Sequence, residues 1–220
     1  MPGFAVRGNL YRPGLPPGWV ALDPPSMSVT GGRFDAYRRW LYGEVEARGR
    51  PLVLAGHSMG AALAICAASE LPELVERLIL FSPAGVPLSN PMFDSFLLLV
   101  RQSLQGLYSL EEIAFVVRET VKHPWATYRL ARQAHDLDLS AEIGKVAAAS
   151  IPTLVVGCES DTLTTTATCA HIADRLAGRY GQITGRGHMW MLTDWRSFGK
   201  LLNEEESEHA SALGRNRVEP

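Results

Sequence analysis

Apolar residues recur along this chain in two ways: as short unbroken runs, and as positions three and four apart. The runs Leu52-Val53-Leu54-Ala55, Leu78-Ile79-Leu80-Phe81 and Thr153-Leu154-Val155-Val156 predict strands covered on both faces, because a strand with one wet face would alternate. Phe34, Tyr37, Leu41 and Val45 stand at helical spacing and predict a helix that ends near Gly49 and Pro51. A second helix is predicted from about Ala61 to Glu70. Trp19-Val20-Ala21-Leu22 predicts one further strand, stopped by Asp23-Pro24-Pro25. Strands that alternate with helices imply βαβ units and a mostly parallel sheet.

The pattern changes between Pro87 and Ile151, where several helices and no strong strand are predicted. Ser109-Leu110-Glu111-Glu112 has the serine-to-glutamate spacing of a capping box and would open a helix reaching Lys122. Another begins after Pro124 with Trp125, Tyr128 and Leu130. The chain therefore divides into a core of residues 1–86 and 149–203 and a helical lid of residues 87–148. The polar tail of residues 204–220 is expected to be frayed or disordered.

One junction carries chemistry. The run Leu52–Ala55 leads straight into Gly56-His57-Ser58-Met59-Gly60, and the small-residue stretch Ala61-Ala62 follows at once. A strand, Gly-x-Ser-x-Gly and a helix in that order make a turn so tight that a Cβ at Gly56 or Gly60 would collide with a neighbour. The turn would hold the Ser58 hydroxyl proud of the sheet at a helix N-terminus, where the Met59 amide can stabilise an oxyanion. His57 is adjacent in sequence, but its side chain should point away from the serine, which makes a structural role the simpler one.

This arrangement resembles the α/β-hydrolase superfamily, and in particular its small capped esterases and C–C hydrolases with a Gly-His-Ser-Met-Gly elbow. The resemblance runs from about Trp19 to Leu202. It implies an α/β-hydrolase fold: a mostly parallel sheet of about six strands flanked by helices, shortened at the N-terminus, with a helical cap. It also implies an acid after a late strand and a histidine near the end, in that order. Ile151 to Gly157 supplies the strand, and in the loop that follows Asp161 fits the acidic position, with Glu159 as the alternative. Gly187-His188-Met189-Trp190-Met191 matches the closing segment, so His188 is the expected base. The family's second oxyanion donor, often marked His-Gly, has no such pair here. The Leu15 or Gly14 amide is the nearest candidate. Phe96 in the lid, with Trp190 and Met191 beside the base, are candidates for an acyl pocket.

Bulk properties narrow the partners. A formal net charge of -2 without a basic cluster argues against nucleic acid. No stretch of eighteen apolar residues predicts a membrane span. Three cysteines, Cys66, Cys158 and Cys169, lack zinc-site or disulfide-framework spacing and suit a reducing compartment, with the cytoplasm as the expected location. The chemistry requires neither a metal nor an organic cofactor. Three readings follow: a carboxylesterase on small or medium acyl esters; a C–C hydrolase or cofactor-free perhydrolase or haloperoxidase on the same triad; or a hydrolase scaffold serving as a receptor or interaction module.

Overall fold

The computed structural model describes residues 1–3, 6–88, 91–92, 94–95, 97–98, 101 and 110–216. Four strands form one parallel sheet in the order β1-β2-β3-β4: β1 (Leu52–His57), β2 (Val75–Phe81), β3 (Thr153–Cys158) and β4 (Arg179–Ile183). The three apolar runs are thus the three strands that lie side by side, as two-faced burial requires.

Their side chains sort by parity. Leu78 and Leu80 of β2 and Val155 of β3 enter one core, whereas Ile79, Phe81, Leu154 and Val156 enter another on the opposite face. The first core is covered by helices α1 (Phe34–Glu46) and α2 (Met59–Glu70). In α1 only Phe34, Tyr37, Leu41 and Val45 are buried, one stripe facing inward. In α2 every residue from Met59 to Ala68 is buried, because the helix is enclosed on all sides and its alanines allow close approach. The second core is covered by the long C-terminal helix, α7 (Trp195–Asn216), through Phe198 and Leu202.

Between β2 and β3 stand the helices α3 (Leu110–Lys122), α4 (Pro124–His135) and α5 (Ser140–Ala148). After β3, α6 (Thr166–Arg175) begins at Thr165, whose side chain accepts from the Thr168 amide and satisfies one of the unpaired donors of its first turn. The expected capping serine, Ser109, lies outside the described residues.

Three expectations need correction. The sheet has four strands among the described residues, fewer than about six. Trp19–Leu22 forms no strand; it faces β1 across a groove of about 410 Å³ lined by both segments. The outer edge of β1 is met instead by Met1, whose nitrogen donates to Ala55 O (2.7 Å) and whose carbonyl accepts from His57 N (3.0 Å). The tail is not frayed from Glu204: α7 runs from Trp195 to Asn216. Glu205 anchors it, buried on Arg77 of β2 and also paired with Arg179 of β4.

Candidate active site

The carboxyl ends of the strands gather the chemistry. Ser58 follows β1 and opens α2 with φ 52° and ψ -118°, a conformation that costs a non-glycine residue roughly 1–3 kcal/mol. Its surroundings over-determine it. The Ser58 amide donates to Phe81 O (2.9 Å), and its carbonyl accepts from Ala61 N (3.0 Å) and Ala84 N (3.2 Å). Gly56 is required because a Cβ there would stand 2.6 Å from Ala61 Cα. Gly60 is required by a different neighbour: its Cβ would meet the backbone of Met1 and Pro2.

Asp161, in the loop after β3, and His188, in the loop after β4, meet in the interior. His188 Nδ1 lies 2.7 Å from Asp161 Oδ2, with side-chain exposures of 1% and 0%. The other carboxylate oxygen, Oδ1, accepts from the amides of Leu163 and Thr164, each at 2.9 Å. Burial alone would raise the Asp161 pKa; the adjacent His188, the Thr164 amide and the Ser82 hydroxyl outweigh it and hold the acid below its ordinary range. Glu159, the alternative acid, instead accepts from the Gly185 amide at the surface (2.7 Å).

Ser58 and the acid loop share a cavity of about 410 Å³, lined by Ser58 and Met59 at the elbow and by Leu163 and Thr164 after Asp161. Ala84, Val86 and Leu88, in the segment after β2, line its wall, and α4 closes it from above through Thr127, Tyr128 and Ala131. The lining is overwhelmingly apolar. A space of this size is within the ordinary range for small-molecule sites.

His57 belongs to a separate network. Its Nδ1 lies 2.8 Å from the Tyr11 hydroxyl and its Nε2 lies 3.0 Å from the His188 carbonyl oxygen. Burial, together with the nearby charge of His188, pushes its pKa well below the ordinary 6.5.

Several expected residues stand elsewhere. Gly14 packs on α7, where a Cβ would lie 2.7 Å from the Phe198 ring, and Leu15 packs against the second core. Neither lines the Ser58 cavity. The N-terminal glycine that packs against the elbow is Gly3, whose Cβ would stand 3.0 Å from His57 Nδ1 and 3.5 Å from Ser58 Cβ. Only the bare Pro2-Gly3 pair in the sequence could have pointed to it. Trp190 and Met191 are core residues rather than pocket residues; the Trp190 ring meets Phe81 and Phe198 edge-on at 6.2 and 6.1 Å. Phe96 lies outside the described residues. Tyr11 and Ser82 were not singled out by any motif, since both act through the fold rather than through local spacing.

Comparison with known proteins agrees with this architecture. Residues 2–198 match the alpha/beta hydrolase family. No curated protein matches the chain. Among solved structures, an enzyme degrading N-acyl homoserine lactones is 17% identical with a TM-score of 0.70, over 93% of this chain and 90% of that one. A thermophilic esterase from Thermogutta terrifontis is 16% identical with a TM-score of 0.66, over 94% and 88%. A bacterial membrane phospholipase A is 16% identical with a TM-score of 0.70, over 95% and 77%. At these identities the structures speak to the fold, and the family match covers most of the chain. The chain belongs to the alpha/beta hydrolase family.

Proposed function

We propose that this hydrolase cleaves carboxylic esters of small or medium acyl chains through an acyl-enzyme formed on Ser58. The observation that carries the reading is the shared cavity: a strained serine and the loop of a buried Asp–His pair open onto one apolar space. In this reading Asp161 holds the His188 Nδ1–H, so Nε2 is the basic nitrogen. His188 takes the Ser58 proton as the hydroxyl oxygen attacks the ester carbonyl. Asp161 stabilises the imidazolium that forms. The Met59 amide, at the start of α2, donates to the developing oxyanion. His188 then gives its proton to the leaving alkoxide, and water releases the acyl group by the same steps in reverse.

The apolar wall supports an acyl group over a charged substrate. Among the described residues, no helix is long and apolar enough to cross a membrane. The three thiols are buried and free, which supports action in the cytoplasm.

The test is hydrolysis of p-nitrophenyl acetate and butyrate. Wild type should turn both over, and Ser58→Ala should lose at least about 10³-fold in kcat. A fluorophosphonate should label wild type at Ser58 only. Equal inertness of the two proteins, with no labelling, overturns the reading. Turnover of a vinylogous diketone without ester hydrolysis would replace it with C–C cleavage.

A further inference from the structure

We infer that His57 and Tyr11 are positioning residues that hold the backbone of His188, and with it the imidazole that Asp161 holds by its side chain. The inference rests on the ester-hydrolase reading for its kinetic consequence, but its geometry stands apart from turnover.

The hydrogen-bond partners determine where each proton sits. The His188 carbonyl oxygen, 3.0 Å from His57 Nε2, can only accept. A lone pair on Nε2 would repel it at that distance, so Nε2 carries the hydrogen. The His57 ring is buried at 2% exposure, and burial keeps it neutral. A neutral ring with Nε2–H presents a lone pair at Nδ1. The Tyr11 hydroxyl, 2.8 Å away, therefore donates to it, and the Gly3 amide donates in turn to the Tyr11 oxygen (3.4 Å). The chain reads Gly3 N–H to Tyr11 O–H to His57, and His57 Nε2–H to the His188 carbonyl.

Each end of this chain is anchored. Tyr11 is buried against Phe198 of α7, with ring centroids 6.4 Å apart. The His57 and His188 rings lie 4.7 Å apart. His188 is thus gripped twice, by Asp161 through its side chain and by His57 through its main chain. A short helix, Trp190–Thr193, follows His188, and the His57 bond adds a fixed point on the His188 carbonyl itself. The family-like elbow histidine, which points away from Ser58, acts on the base from behind. A misplacement of the order of 1 Å at a catalytic group can cost about 100-fold in rate.

The experiment uses the full chain and three variants. His57→Leu removes the donor; His57→Gln restores an N–H at about the same reach; Tyr11→Phe removes only the hydroxyl that fixes the tautomer. On p-nitrophenyl butyrate, His57→Leu should lower kcat by about 100-fold with KM within about twofold. His57→Gln should recover most of that loss, and Tyr11→Phe should fall between. Histidine ring nitrogens observed by NMR should show His57 as the neutral Nε2–H tautomer. The low-field Nδ1–H proton of His188 on Asp161 should persist in wild type and His57→Gln and broaden away in His57→Leu. Should His57→Leu fail to fold, Tyr11→Phe and His57→Gln carry the same comparison. A His57 ring found as the Nδ1–H tautomer overturns the proposal. So does a His188 Nδ1–H signal unchanged in every variant, or a glutamine no better than leucine. Inert wild type with the expected NMR pattern overturns the esterase reading and leaves the positioning geometry standing.

Discussion

Two buried ion pairs sit at opposite ends of the same sheet, and they are built for opposite purposes. At the amino ends of the strands, Arg77 of β2 and Arg179 of β4 converge on Glu205 of α7, and Arg77 also donates to the Glu205 carbonyl (2.7 Å). At the carboxyl ends, Asp161 and His188 meet in two loops. The first pair joins regular elements. The second joins two loops; positive φ marks both ends of the sheet, at Ser58 (52°) and Ser82 (41°) here and at Ser150 (54°) and Ala177 (50°) ahead of β3 and β4. The ions differ as well. A guanidinium can only donate, so the arginine cluster can only hold; an imidazole can both take and give a proton and can work. Burial of charge therefore does not identify the active end. A titratable partner is what sets the proposed active end apart.

The sharpest way to break this contrast is to neutralise each carboxylate without changing its shape. Asp161→Asn should lower kcat by about 10⁴-fold, because the amide no longer selects the His188 tautomer or stabilises its cation. KM should stay within about twofold, since nothing in the acyl cavity changes. Glu205→Gln should do the reverse. Removing one partner of a buried pair costs about 3–5 kcal/mol, which should appear as a lower urea midpoint, while kcat of the folded fraction stays near wild type. Steady-state kinetics and denaturation on both variants check the contrast. If Glu205→Gln slows turnover as Asp161→Asn does, the two ends are not independent.

The proposed active end was the more legible in sequence, for a physical reason. A nucleophile elbow is local in sequence: strand, Gly56, Ser58, Gly60 and helix are consecutive. Gly56 is required by contacts with Gly60 and Ala61, although Gly60 itself is required by the distant Met1 and Pro2. The proposed acid and base follow from the chain order that the family resemblance implies, and Asp161 and His188 do meet. What the sequence concealed is what depends on distant packing. Gly14 and Leu15 looked like oxyanion-loop residues because they form a Gly/Pro turn, yet α7 claims that turn. Trp19–Leu22 has strand composition, but composition does not say whether a paired edge awaits it. The arginine cluster had no local signature at all, because Arg77 and Glu205 are 128 residues apart. The polar tail read as solvated for the same reason.

Acid should separate the two ends by a smaller effect. His57 is neutral in the fold with its pKa well below 6.5, whereas the unfolded chain protonates it near 6.5. The unfolded state thus binds more protons, so stability rises with pH through this window and is lost as pH falls below 6.5. One such group changes stability by at most about 1.4 kcal/mol per pH unit. Asp161 acts in the same direction at lower pH. Its folded pKa lies below the ordinary 3.8, so its contribution is present above 3.8 and disappears as pH falls through the folded value. Both groups belong to the carboxyl end, which predicts that acid loosens the site before the arginine cluster. Urea midpoints measured from pH 7.5 down to 5 should decline in wild type and decline less steeply in His57→Gln, which has no ring to protonate. A parallel pair of curves would show that the His57 environment does not exclude the proton, and the distinction between a working end and a holding end would then have to rest on kinetics alone.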